Sequence, residues 1–326
     1  MQPVQHNRRD PVVHQKPALS LVVPCFNEEE VLPNTITKLI DLLNVLRTEG
    51  RIAEASHVYF IDDGSRDNTW SIIAQACSSD TQVKGIKLSR NRGHQNALLA
   101  GLFTAEGDVL ISLDADLQDD LNAIPKMLLE HSRGSDIVYG VRNDRSSDTW
   151  LKRTTANQFY RVMRWFGAES ISNHADFRLM SRRSVEALKM YSEVNLFLRG
   201  LVPLIGFRSS IVEYERKARA AGQTKYPTAR MVALALDAIT SFSVVPLRLI
   251  TTLGFLVFSL STVMVLWTLW VRLFTDEALP GWTSTTLPIY LIGGLQILCL
   301  GVIGEYLGKI YREAKGRPRY IIEQCL

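Results

Sequence analysis

A chain of 326 residues, 46% hydrophobic and 21% charged, carries enough apolar surface to offset chain entropy, which excludes a disordered chain over most of its length. Its four cysteines, Cys25, Cys77, Cys299 and Cys325, are too scattered for a disulfide framework or a zinc site. A net charge of +4 is too mild to point to nucleic acid, so the placement of the positive residues matters more than their sum.

Residues 1–17 are polar, with His6, Arg8, Arg9 and His14, and read as a mobile arm without a cleavable apolar segment. From 18 to 227, β-rich runs alternate with helical patterns. They are Leu19–Val23 then Thr35–Leu46, Val58–Ile61 then Thr69–Ala76, Val83–Leu88 then Gln95–Ala105, Val109–Leu113 then Leu121–Glu130, and Ile137–Tyr139. A further short strand is expected over Phe177–Met180. This rhythm is that of an α/β domain, a mostly parallel sheet with helices on both faces. Ligands of such sheets sit beyond the carboxyl ends of the strands.

Acidic groups gather at those ends. Pro24-Cys25-Phe26-Asn27-Glu28 follows the first strand, Asp62-Asp63-Gly64-Ser65 the second, and Asp114-Ala115-Asp116-Leu117-Gln118 the fourth. Singly, each has a structural explanation: Asn27 or Asp67 as a helix cap, Asp63-Gly64 as a turn. Together they are harder to explain so, because massed carboxylates repel unless a cation or a ligand's donors compensate them. A divalent metal with a sugar nucleotide meets that need. A dinucleotide fingerprint and a lysine-containing phosphate loop are both missing. On an extended segment Asp114, Asp116 and Gln118 would point one way, a hard-cation set suited to Mg2+ or Mn2+ completed by diphosphate oxygens. His94, at a helix start, reads as structural. The stretch with Arg142, Arg145, Lys152, Arg153, Arg161 and Arg164 is basic, and planar guanidinium forks match phosphate oxygens.

Beyond 227 the pattern changes. Residues 228–246 are largely apolar, with Asp237, and read as an interfacial helix that Pro246 ends. Leu249–Val271 holds 23 residues without a charge, ~35 Å of helix at 1.5 Å per residue, enough for a ~30 Å hydrocarbon core. A second uncharged stretch, Ala278–Gly304, makes a transmembrane hairpin over 247–308. The tail 309–326 carries Lys309, Arg312, Lys315, Arg317 and Arg319, which places both ends of the hairpin in the cytoplasm.

These motifs, in this order and with Asn91-x-Gly93 and Gly222-Gln-Thr-Lys225-Tyr226, resemble family-2 glycosyltransferases. Asp176-Phe-Arg178-Leu-Met-Ser-Arg182, Asn195-Leu-Phe and Gly304-Glu305-Tyr306-Leu-Gly308 resemble the polyprenyl-phosphate type, bactoprenol glucosyltransferases above all, with dolichyl-phosphate mannose synthases similar too. The resemblance implies a GT-A fold and inverting transfer of a sugar, glucose from UDP-glucose as the best choice, to undecaprenyl phosphate in a bacterial cytoplasmic membrane. It also implies a homo-oligomer, a tetramer in some relatives. By matched position it places Pro24, Asn27, Glu28, Asp62 and Asp63 around the base and ribose, and Asp114, Asp116 and Gln118 on the metal. Arg216, Arg219 and Lys225 fall on a loop over the donor, and Arg142 and Arg153 on the acceptor phosphate. A serine of mannose synthases at that phosphate is here Asn157. Asp176 matches an acid near the anomeric carbon, as a base or as a positioning group. A phosphate monoester, with a second pKa near ~6, is already largely a dianion at neutral pH.

N-acetylglucosamine, galactose, mannose and aminoarabinose are alternative sugars. A processive synthase lacks support, since Arg161 stands where its Gln-x-x-Arg-Trp motif would have Gln. A non-catalytic scaffold would not need the acidic set.

Overall fold

The computed structural model describes residues 16–142, 174–193, 198–214 and 282–326, with scattered positions between 247 and 274. The expected arm before Lys16, the interfacial helix 228–246 and most of the first apolar stretch lie outside the described residues, as do Arg145, Lys152, Arg153, Asn157, Arg161, Arg164, Arg216, Arg219 and Lys225.

Four α/β repeats open the chain: β1 (Leu19–Cys25), α1 (Leu32–Thr48), β2 (His57–Asp62), α2 (Thr69–Ser79), β3 (Val83–Leu88), α3 (His94–Thr104), β4 (Val109–Ser112) and α4 (Ala123–Ser132). Then come β5 (Ile137–Arg142), β6 (His174–Ser181), α5 (Arg182–Lys189), α6 (Leu198–Leu204), β7 (Ser209–Tyr214), α7 (Trp282–Ala314) and β8 (Ile322–Cys325). The strands form one sheet in the order β7-β5-β6-β4-β1-β2-β3-β8. β1 pairs in parallel with β2 and β4, β2 with β3, and β5 with β7, whereas β6 runs antiparallel between β4 and β5, and β8 antiparallel to β3.

β1 is buried along its whole length, as a central strand covered on both faces must be. The period of two then divides its side chains. Leu21 and Val23 join the cluster with Leu39 and Leu43 of α1 and Met127 of α4. Val22 faces the opposite cluster, with Leu98 of α3, Val185 of α5 and Leu201 of α6. Helices therefore cover both faces, as the alternation of runs anticipates. The closest approach is at Gly101 of α3, where a Cβ would lie 2.4 Å from Val22 Cγ1 and 2.6 Å from Ile61 Cδ1. Overpacking of this kind costs about 1–3 kcal/mol. Gly101→Ala is therefore expected to lower the thermal midpoint by several degrees in scanning calorimetry; an unchanged midpoint would contradict the packing.

Three differences from the sequence reading have local causes. α4 starts at Ala123 rather than Leu121, because the Ala123 and Ile124 N–H groups turn back to the Asp120 and Leu121 carbonyls. β7, an edge strand with half of its side chains exposed, has no buried run to announce it. The end of the basic segment 309–326 is not a free tail. Ile322–Cys325 forms β8, and Leu326 and Gly85 exchange N–H···O bonds of 2.8 and 3.1 Å.

α7 spans 33 residues with Pro288 inside it. Among the described residues no helix is long and apolar enough to cross a membrane. Large apolar side chains on both arms of the expected hairpin nevertheless stand exposed, among them Phe255, Trp267, Phe274, Ile289, Leu300 and Leu307.

Candidate active site

The carboxyl ends of β1, β2 and β4 and the amino end of β6 share one edge of the sheet, because β6 is antiparallel. The loops leaving that edge are tied to one another. After β1 the backbone turns left-handed at Asn27, at φ 55°. The Asn27 N–H donates to Ser65 Oγ at 3.0 Å, and its Oδ1 accepts from the Arg66 N–H at 2.9 Å. The Glu28 N–H donates to Thr69 Oγ1 at 2.9 Å. Pro24 and Cys25 close β1 alongside Ile61 and Asp62 of β2. The loop after β2 is held equally closely: Gly64 has φ +66°, and a Cβ there would meet the Asn91 backbone N at 2.5 Å.

Asp62 and Asp63 are both buried yet differ in what they offer. Asp63 accepts the Arg92 N–H at 2.7 Å on one oxygen and the Gly93 N–H at 2.8 Å on the other, so it clamps the loop before α3. Asp62 accepts the Ser65 N–H at 3.1 Å through Oδ1, while its buried Oδ2 has no hydrogen-bond partner among the described residues. Burial pushes both carboxyls above their usual range. Such an oxygen costs free energy until a ligand's hydroxyl or amide meets it.

The segment 113–118 departs from the extended conformation expected for it. β4 ends at Ser112, the Leu117 N–H turns back to the Asp114 carbonyl at 3.3 Å, and Leu117 is left-handed, at φ 46°. A turn, not strand alternation, sets how Asp114, Asp116 and Gln118 are arranged. Thr35 Oγ1 of α1 anchors it by donating to the Ala115 carbonyl at 2.7 Å, and the Gln118 N–H donates to Asp116 Oδ1 at 3.3 Å. The buried Gln118 Nε2 has no partner among the described residues.

Asp176, next to this turn, is bound by two arginines. Arg178, two residues along β6 and only 1% exposed, donates through Nη2 to Asp176 Oδ1 at 2.8 Å. Arg199 of α6 reaches Oδ2 at 3.3 Å, and Ser112 Oγ of β4 holds the Asp176 carbonyl. Burial alone would raise the Asp176 pKa; Arg178, then Arg199, then His94 overcome it and hold the carboxyl at about 2. His94 Nε2 stands 3.7 Å from both Asp176 Oδ2 and Asp114 Oδ1. Asp114 has the opposite environment. Burial pushes its pKa up, His94 opposes this, and the charges of Asp119, Asp176 and Asp116 push it further up. One carboxylate is thus fixed as an anion, and its neighbour stays ionised only at a cost that added positive charge removes.

That imbalance decides the fit of a metal. Among the described residues no group of three or more His, Cys, Asp and Glu forms a ligand set. The expected set has two carboxylates and an amide, with remaining positions for a ligand's oxygens, the pattern Mg2+ and Mn2+ accept. Turned about its terminal bond, the Gln118 amide presents Oε1, a hard donor, in place of the partnerless Nε2. The residues fit a hard divalent cation.

Arg142 is the last residue of β5, paired with Tyr214 of β7, and Tyr214 donates its hydroxyl to Asp119, just past the turn. The Arg142 backbone thus ends at the acidic edge; its side chain is outside the described residues. His94, read from the sequence as structural, stands against both Asp114 and Asp176. The Arg178 pairing had a signal, since residues two apart on a strand share a face; Arg199 had none, its approach being set by the packing of α6.

Comparisons with known proteins place the chain among glycosyltransferases. Residues 20–189 match the glycosyl transferase family 2 model, and residues 245–310 match the GtrB C-terminal hairpin. The uncharacterized glycosyltransferase YkoT of Bacillus subtilis is 50% identical over 94% of this chain and 92% of its own length. The prophage bactoprenol glucosyl transferase homolog of Escherichia coli is 41% identical over 94% and 98%. The bactoprenol glucosyl transferase of Shigella phage SfII is 41% identical over 94% and 97%.

Proposed function

The chain belongs to glycosyl transferase family 2 and is a glycosyltransferase, and from that premise we propose that it transfers glucose from UDP-glucose to undecaprenyl phosphate with inversion at the anomeric carbon. The observation that carries this reading is the acidic edge itself, where Asp176 is held anionic beside an Asp114 that calls for a cation. Likeness to bactoprenol glucosyl transferases over nearly the whole chain supports the sugar and the acceptor.

In this reading the mixed sheet is a GT-A fold. Asp62 Oδ2, with Pro24, Asn27 and Glu28, takes the base and ribose, while Asp63 holds the adjoining loop. Asp114, Asp116 and Gln118 hold Mg2+ or Mn2+ with the donor diphosphate. When bound, the ion neutralises charge on the leaving diphosphate as a Lewis acid. Arg216, Arg219 and Lys225 cover the donor, and Arg142 and Arg153 take the acceptor phosphate. Two unit anions at 4 Å repel by ~4 kcal/mol at an effective dielectric constant of 20, which these cations offset. An acceptor phosphate oxygen attacks the anomeric carbon, the bond to the diphosphate breaks, and the bonding pair leaves with UDP. At a pKa of about 2, Asp176 is too weak a base to take a proton at neutral pH, and the dianionic phosphate needs none removed. Asp176 instead stabilises positive charge on the sugar ring.

The hairpin match over 245–310 and the exposed apolar side chains on both arms support two membrane spans in a bacterial cytoplasmic membrane, with the catalytic domain and both hairpin ends in the cytoplasm. A homo-oligomer completes the proposal.

The test incubates the full chain with labelled UDP-glucose and undecaprenyl phosphate. Label is expected in the lipid fraction, lost with a chelator and restored by Mn2+ or Mg2+. If none of a panel of nucleotide sugars labels the lipid, the reading fails.

A further inference from the structure

A cationic cluster lies beside the loop that Asp63 clamps. A cavity of about 440 Å³ opens between the start of α3 and the chain leaving α7, lined by Arg92, Asn96, Arg312, Lys315, Arg317 and Arg319 among others. We propose that it binds the headgroup of an anionic glycerophospholipid, its phosphate on the arginines and its headgroup hydroxyl on Asn96. The inference rests on the membrane hairpin proposed above.

Charge comes first. Five cations line the cavity, and Glu193 and Glu313 act on one of them, Arg319. Cation clusters immediately beyond a membrane helix attract anionic lipid. Two of the lining residues also carry buried polar atoms with unmet hydrogen-bonding capacity. Arg92 Nε, a donor, and Asn96 Oδ1, an acceptor, are both buried without partners among the described residues. Asn96 Nδ2 donates to the Arg92 carbonyl at 2.8 Å, which fixes the amide. A phosphodiester carries no O–H and supplies acceptors alone, for Arg92; a headgroup with a hydroxyl beside its phosphodiester also offers Asn96 Oδ1 a donor.

Position selects a lipid. Arg312 lies in the last turn of α7, just past the matched hairpin, and Tyr311 is 60% exposed with Lys315 Nζ 4.1 Å from its ring centroid. The far wall is fastened to the domain: Arg319 donates to the Tyr191 carbonyl, and the Ser89 N–H donates to the Ile321 carbonyl at 3.0 Å. The Arg92 N–H is bound to Asp63, so a headgroup here ties the bilayer surface to the loop bordering the donor site.

The test titrates dioctanoyl-phosphatidylglycerol into the full chain in neutral detergent and counts bound lipid by native mass spectrometry. Wild type is expected to bind it. Arg92→Gln/Arg317→Gln should weaken binding at least tenfold, and Lys38→Gln/Lys126→Gln, a charge-matched change at exposed α1 and α4 positions, should not. Arg312→Gln/Lys315→Gln, at exposed positions, gives the same reading should the first pair disturb folding. Equal loss in the control, no loss in either cavity variant, or equal competition by inorganic phosphate overturns the proposal. So does displacement of the lipid by short-chain polyprenyl phosphate, which would assign the cavity to the acceptor. Binding is read without turnover, so a failure of sugar transfer leaves this result standing and a failure here leaves the transfer reading standing.

Discussion

Asp114→Asn is expected to lower turnover by about 10³-fold while leaving the thermal midpoint unchanged or raised. The two effects have one cause. Asp114 is pushed up by burial and by Asp119, Asp176 and Asp116, so its anion opposes folding until a cation arrives. Asparagine keeps the shape and removes the repulsion. The same change removes a hard anionic donor from the place where the leaving diphosphate is neutralised, and loss of one preorganised electrostatic contact typically costs 10²–10³ in rate. Lipid-linked glucose formation and a melting curve on the same preparation check it. A variant that loses both stability and activity would mean that Asp114 is a structural carboxylate.

Arg178→Met should act in the opposite sense, mainly on stability. Arg178 is 1% exposed and paired with Asp176 at 2.8 Å, and breaking a buried pair from one side costs about 3–5 kcal/mol because the remaining charge stays buried. At 2–4 °C per kcal/mol for a domain of this size, the midpoint should fall by roughly 10 °C. Combining it with Asp176→Asn should recover part of the loss, since no charge is then stranded. The acid limb gives an independent check. The folded pKa of Asp176, about 2, is below its unfolded value near ~3.9. Its contribution, roughly 2–3 kcal/mol, is therefore present above pH ~4 and lost as pH falls toward 2. Asp176→Asn should flatten that stretch of the stability curve; an unchanged acid limb would contradict the pairing.

The parts of this chain legible in sequence are those fixed by local pattern. Short β-rich runs marked β1 to β5, and the rule that ligands sit past strand ends turned three acidic clusters into one edge. The turn at Ala115-Asp116 was not legible, because two aspartates at alternate positions look alike in a strand and in a turn that Leu117 closes at φ 46°. β8 escaped for a different reason: an edge strand whose side chains are mostly exposed has little apolar alternation. His94 and Arg199 reach Asp176 from 82 and 23 positions away in the chain, distances that only the packing of α3 and α6 against the sheet closes.

Calorimetric titration of UDP-glucose into the full chain in detergent, with Mn2+ and again with chelator, tests the acidic edge most directly as the donor's seat. Binding should require Mn2+ and weaken at least a hundredfold in Asp116→Asn. Equal affinity with and without the ion, or an Asp116→Asn variant that binds as wild type does, would contradict it.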